Sequence, residues 1–297
     1  MPGKQVTELD ALPSFTDTSL LPVHNGAGLK KGTLTQLSNF LGTKFSNPNL
    51  LINPDFKINQ RGATSYEKQG YSVDRWKIWN VTVTPSTSGG ITVKNDKYTD
   101  TGTFLQYLEN ATEGDSTLSC YVTSVSGTVT MVADDNSQVV LKQGLNVVHT
   151  SKSTKAFTIF LNRGTNITLK WVKLEQGKVA TEFIAPNYAE EILKCQRFYV
   201  VLESSIAGYG ANNAIYIPFA RGVYMRNSRN VIFTGANKQT FLRVTGTGKQ
   251  ISFNTTNGYA NNQYLRVYTN PVDTSLNNTA IGVDLNDTTI SVDAEIY

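Results

Sequence analysis

The chain has 297 residues, 39% hydrophobic and 17% charged, with 27 basic against 23 acidic side chains and a formal net charge of +4. It can bury a large core, is too apolar for intrinsic disorder, and has no apolar run near the roughly 20 residues of a membrane span. Its Lys and Arg are too thinly spread to track phosphates, so neither nucleic acid binding nor membrane insertion is expected. Thr and Asn together make up roughly a fifth of the sequence, well above ordinary usage, and 23 glycines add to the turn-forming stock. Thr suits half-buried pleated surfaces while Asn and Gly supply turns, so the composition predicts an all-β protein.

Met1 to Asp10 shows no basic stretch leading into an apolar core, so folding in a cytosol is expected. Cys120 and Cys195 lie far apart and outside any C-x-x-C pair, and both read as buried free thiols.

Residues 1–46 form a first small segment. Ser19 to Val23 reads as a strand and His24 to Gly32 as a glycine-bearing hairpin turn. Leu34, Leu37 and Leu41 then recur at helical spacing behind Thr33 or Thr35 as N-cap, with Gly42 as the stop. An element this small cannot bury its apolar face alone and calls for a partner or for symmetry mates.

Residues 47–186 alternate at period two: Val81 with Val83, Ile91 with Val93, and Leu118, Cys120 and Val122. The pattern continues through Val129 with Met131, Phe157, Ile159 and Leu161, and then Ile167, Leu169 and Trp171. Polar turns separate these runs, which predicts an antiparallel β-sandwich with Phe56, Trp76, Trp171 and Phe183 in its core. Asp74 and Arg75 are expected to form a local ion pair or hydrogen bonds. Asn187-Tyr188-Ala189-Glu190 has the form of a capping box, so residues 187–199 are predicted to be a linker helix with Tyr188, Ile192, Cys195 and Tyr199 on one face.

Residues 200–297 return to alternation as a second β-domain. Two of its segments, Gly208 to Asn213 and Gly258 to Asn262, read as loops of similar chemistry. Each sets one tyrosine beside paired asparagines, offering a stacking plane and hydrogen-bonding amides. Tyr209, Asn212, Asn213, Tyr259, Asn261 and Asn262 are therefore the candidate saccharide-binding residues. Tyr66, Tyr71 and Tyr98 in the sandwich loops stand second.

His24 and His149 have no metal-ligand spacing around them, so neither a metal nor a cofactor nor a catalytic triad is expected. The carboxylate pairs Glu113 with Asp115, Asp134 with Asp135, and Glu190 with Glu191 read as solvated charge rather than as glycosidase machinery.

Asn49 to Gly62 (NLLINPDFKINQRG) and Gly70 to Trp76 (GYSVDRW) resemble the opening of a module of bacteriophage tail-fibre and other virion appendage proteins. Trp171 to Gly177, Ala180 to Phe183, Tyr188 to Glu191 and Cys195 to Tyr199 are similar to that family's closing strand and linker. Phe219 to Arg226 and Asp293 to Ile296 are similar to its C-terminal domain, so the resemblance spans residues 49–297.

The resemblance implies a jelly-roll sandwich like that of carbohydrate-binding modules, a distal β-domain, and a homotrimer. It further implies that residues 1–46 attach to other tail or head proteins of a virion assembled in the host bacterial cytoplasm. The C-terminal half would then bind a host cell-surface glycan without enzymatic action. Sandwiches of this kind often hold calcium through a Glu after the opening Phe; here Lys57 follows Phe56 and Lys173 lies near the closing strand, so no metal is expected. A head-fibre, collar or capsid decoration protein is the alternative. A glycan depolymerase is the third reading, although no repeat for a long β-helix is visible.

Overall fold

A computed structural model of the chain describes residues 19–24, 28–42, 46–202, 206–211, 214–218, 225–226, 230–235, 239–244, 250–254, 258–260, 264–268, 279–284 and 288–295. Throughout these the protein is all-β, with antiparallel sheets and two short helices.

Strands β1 (Leu20–His24) and β2 (Leu29–Thr33) make a hairpin, followed by α1 (Leu34–Gly42). The connection is shorter than the sequence suggests, because Leu29 to Gly32 pair with β1 instead of turning. Thr33 is the cap: the Gln36 amide donates to Thr33 Oγ1 at 3.1 Å and the Thr33 amide to Gln36 Oε1 at 2.8 Å. That reciprocal box satisfies two amides a helix start otherwise leaves unpaired. Leu20, Leu37 and Phe40 remain exposed.

Eleven strands follow: β3 (Gly70–Tyr71), β4 (Lys77–Trp79), β5 (Thr82–Pro85), β6 (Ile91–Asn95), β7 (Gly102–Tyr107), β8 (Ser116–Ser126), β9 (Val129–Val132), β10 (Gln138–Val140), β11 (Gly144–Thr150), β12 (Ala156–Leu161) and β13 (Thr165–Gln176). They form a six-stranded sheet, β10-β9-β12-β7-β4-β3, and a five-stranded sheet, β11-β8-β13-β6-β5. Inward residues of both sheets, among them Ile78, Phe104, Ile159, Leu118, Cys120 and Ile167, join one buried cluster. Trp76 sits within it, stacked on Phe104 (centroids 4.7 Å, 9° between planes) and tilted against Phe56 at 5.2 Å. Its indole N–H donates to the Asn53 carbonyl at 3.0 Å, so the ring is buried with its polar atom satisfied.

Trp171 and Phe183 are not core. Strand β13 bulges against β8: Leu169 faces Val122 and Trp171 faces Tyr121, which leaves Lys170 as an extra residue. One inserted residue reverses the alternation, so Ile167 and Leu169 point inward before it and Val172 and Leu174 after it. Trp171 is thrown onto the outer face, where it stacks on Phe183 at 4.6 Å with 3° between the planes.

Beside that pair, Lys173 is fully buried and its ammonium lies within 3.3 Å of oxygens from Ser46, Glu175, Thr181 and Glu182. The three donors of one lysine occupy a ring of oxygens of the kind a cation would take.

Helix α2 (Tyr188–Gln196) starts as predicted, with Asn187 Oδ1 accepting from the amides of Ala189 and Glu190. Its buried face matches the expected one at Cys195 and departs from it at the start, where Tyr188 is exposed and Glu191 is buried. Glu191 accepts from the Asn53 amide at 2.6 Å and pairs with Lys194 at 2.8 Å, which offsets the cost of burying its charge.

The last ten strands are β14 (Tyr199–Leu202), β15 (Ile206–Ala211), β16 (Ala214–Pro218), β17 (Asn230–Gly235), β18 (Gln239–Val244), β19 (Gln250–Asn254), β20 (Gly258–Ala260), β21 (Tyr264–Tyr268), β22 (Thr279–Asp284) and β23 (Thr288–Asp293). They make one antiparallel sheet in the order β14-β23-β17-β20-β21-β16-β15-β22-β18-β19.

This sheet is clasped to the sandwich by buried charge. Val73 to Trp76 form a tight turn with Arg75 at φ +72°. Arg75 meets Glu295, 220 residues away, at 2.5 Å; both side chains are at most 1% exposed. The same guanidinium donates to the Tyr107 carbonyl and covers the Phe198 ring at 3.6 Å. Asp74 accepts from Gln60, whose side chain also donates to the Tyr199 carbonyl. Of the expected local ion pair or hydrogen bonds, Asp74 makes hydrogen bonds with Gln60, while the ion pair of Arg75 is with the distant Glu295.

Candidate functional site: a tyrosine and arginine row on the C-terminal sheet

Tyr209 and Tyr259 lie in strands, not in the loops their glycines and asparagines suggested. Tyr209 is in the middle of β15 and Tyr259 in the middle of β20. The four flanking asparagines, Asn212, Asn213, Asn261 and Asn262, lie outside the described residues.

Register then joins the two tyrosines. Tyr259 is opposite Arg266 of β21, Arg266 opposite Tyr216 of β16, and Tyr216 opposite Tyr209. Positions directly opposite in an antiparallel pair belong to one face, so residues 50 apart in sequence fall in one row across four adjacent strands. The row continues through Asn230 and Asp293 to Tyr199 at the joint. Tyr199 and Asp293 are buried there, whereas Tyr209 at the far end is 46% exposed.

Strand alternation explains the placement. Ile215, Ile217 and Leu265 are buried on one face, which leaves Tyr216, Tyr264 and Arg266 half-buried on the other. Tyr216 meets Tyr264 edge-on with centroids 5.1 Å apart, and the Arg266 guanidinium lies 5.4 Å from the Tyr216 centroid. Two rings and a guanidinium thus hold one another in place, and such edge contacts add about 0.5–1.5 kcal/mol beyond area burial. Gly208 keeps β15 close: a Cβ there would lie 3.0 Å from both Ile215 Cγ2 and the Tyr216 carbonyl oxygen. Tyr216, Tyr264 and Arg266 were missed from sequence. Their signal was present as outward positions in alternating runs, but only long-range pairing shows that they adjoin Tyr209.

The sandwich tyrosines have structural duties. Tyr66 donates to Asn59, Tyr98 donates to the Glu67 carbonyl at 2.6 Å, and Tyr71 lies 5.7 Å from the Arg61 guanidinium. Burial pushes the Tyr71 hydroxyl well above its usual range. Tyr209 is 46% exposed and stands among the exposed large side chains, where none of these three is found.

The carboxylate pairs are also occupied in part. Asp134 accepts from the Lys155 amide at 2.5 Å, and Asp135 from the Ser137 amide at 2.9 Å. Asp115 lies 3.6 Å from Lys178, and Glu191 is the buried acid of α2. His149 Nδ1 shares a hydrogen with Thr117 Oγ1 at 2.9 Å. Burial pushes the Cys120 thiol up to about 12 and raises that of Cys195, which keeps both in the unreactive thiol form. Among the described residues no group of three or more His, Cys, Asp or Glu is placed to hold a metal ion. No helix among them is long and apolar enough to cross a membrane.

No family model matches the chain, and no curated protein matches it. Among solved structures, a mutant of the salicylate 1,2-dioxygenase from Pseudoaminobacter salicylatoxidans is similar at 8% identity over 68% of this chain and 72% of its own. Its TM-score of 0.11 carries no argument about fold or activity.

Proposed function

We propose that the protein is a non-enzymatic appendage of a bacteriophage virion that binds a glycan of the host cell surface through its distal sheet. The observation that carries this reading is the row Tyr259–Arg266–Tyr216–Tyr209, ending in an exposed ring. Sugars stack their apolar C–H faces on aromatic rings while guanidinium and amide groups bond their hydroxyls, and the row supplies both. Arginine also suits an acidic sugar. The joint supports the same reading, since a sheet fixed by buried charge holds a receptor-binding row in a constant direction relative to the sandwich. The N-terminal hairpin and helix, with Leu20, Leu37 and Phe40 exposed, provide an apolar face for attachment to the particle and for trimer formation.

A glycan array probed with the full-length protein tests the reading, together with a reducing-end assay on each saccharide bound. Binding without release of reducing ends is expected. A chain that binds no saccharide would favour the purely architectural alternative of a head fibre, collar or decoration protein, and release of reducing ends would make it a depolymerase.

A further inference from the structure

The six-stranded sheet has an outer face that the core does not use. Register aligns Trp79 of β4, Thr103 of β7, Phe160 of β12, Thr130 of β9 and Val140 of β10 in one row across five strands. Trp79 is 47% exposed, Phe160 37% and Val140 51%, with the two threonines half-buried between them. A second row beside it holds Lys77, Leu105, Thr158, Val132 and Gln138. The tryptophan is not a core residue forced outward, because Trp76, three positions earlier, fills that role on the opposite face.

The pattern along the row is ring, hydroxyl, ring, hydroxyl, aliphatic. One strand separates the two rings, so they are about 10 Å apart across the sheet. Alternate rings of an extended chain of 1,4-linked hexoses recur at that separation and present the same C–H face. Thr103, Thr130 and Thr158 then stand where a sugar in the intervening position offers its hydroxyls. The two rows hold one cation, Lys77, which already lies 5.7 Å from the Tyr107 ring, and no carboxylate, so a neutral chain suits the face best. A second copy of this chain suits it less well. A dry seam would trap a threonine hydroxyl at every other position, whereas a sugar satisfies ring and hydroxyl together.

We infer that this face is a second saccharide site, binding a neutral, extended 1,4-linked polysaccharide laid across the strands from Trp79 towards Val140. The inference shares with the proposed function only the class of ligand, and the two sites lie on different sheets.

The test is calorimetry and tryptophan fluorescence on the full-length protein, with cellohexaose and chitohexaose as probes and maltohexaose, whose chain curves, as comparator. At least one extended hexamer should bind ten times more tightly than maltohexaose. Trp79→Ala and Phe160→Ala should each weaken that binding at least tenfold without lowering the melting temperature. Tyr209→Ala combined with Tyr259→Ala should leave it unchanged. Absence of binding to both extended hexamers, or binding indifferent to Trp79→Ala, overturns the inference. So does loss of oligomer mass in Trp79→Ala, which would make the face a seam between copies. Hexamer binding that survives Trp79→Ala but is lost in the Tyr209 and Tyr259 variant overturns this inference alone and leaves the distal row standing.

Discussion

At the scale of single residues, the joint shows how a few buried charges connect two β units. Arg61 faces Asp293 and Glu295 at 3.8 and 3.6 Å, and its guanidinium covers Tyr199 at 3.8 Å. With Arg75 and Asp74, the cluster holds three carboxylates against two guanidiniums. Burial pushes the Asp74 carboxyl up to about 6, a rise that Arg61 and the hydrogen bonds from Gln60 only partly offset. The sign follows from linkage. A carboxyl that binds its proton more tightly folded than unfolded adds stability at acid pH, and that stability is lost as pH rises from about 4 through about 6. The stability of the wild type relative to Asp74→Asn should therefore be greater at pH 4.5 than at pH 7.5, by about 2 kcal/mol. Chemical denaturation at the two pH values measures it, and a difference independent of pH would remove Asp74 from the account. Asp-Arg-Trp was visible in the sequence as a motif. Its partners were not, because Glu295 is at the other end of the chain and no local pattern points to it.

At the scale of elements, Gly102 illustrates how close β7 runs to its neighbour. A Cβ at that position would lie 2.7 Å from the Asn80 carbonyl oxygen and would strike Val81 Cγ1, and a backbone atom cannot swing aside. Gly102→Ala should destabilise the sandwich by about 1–3 kcal/mol, seen as a lowered melting temperature, and an unchanged one would show that β4 and β7 can separate freely. Element type was largely legible: the period-two runs became strands, Thr33 and Asn187 became caps, and the helix before the second sheet is present. Three things escaped. The bulge at Lys170 is a property of pairing with β8, and it reversed the reading of Trp171. The glycines and asparagines around Tyr209 and Tyr259 signal turns, but each tyrosine lies in a strand paired with one neighbour on either side. Strand order and register come from contacts between distant residues, so the tyrosine row and the Trp79 row could not be assembled from sequence alone.

At the scale of the whole molecule, the proposed function assigns attachment to residues 1–46 and adhesion to the C-terminal sheet. Removing residues 1–45 spares Ser46 and Asn47, which bond Lys173 and Thr181 of the sandwich. The shortened protein should keep its melting transition but dissociate from trimer to monomer in light scattering and fail to join particles; recovery of it on virions would place the attachment elsewhere. The central claim is that the distal row binds the host glycan. Stacking on one ring is worth on the order of 1–2 kcal/mol by analogy with base stacking, and each 1.4 kcal/mol is a factor of ten. The most direct measurement is the affinity of Tyr209→Ala combined with Tyr259→Ala for host cells, beside wild type of equal melting temperature and mass. The account predicts adsorption weakened at least tenfold, and adsorption equal to wild type by the folded double variant would contradict it.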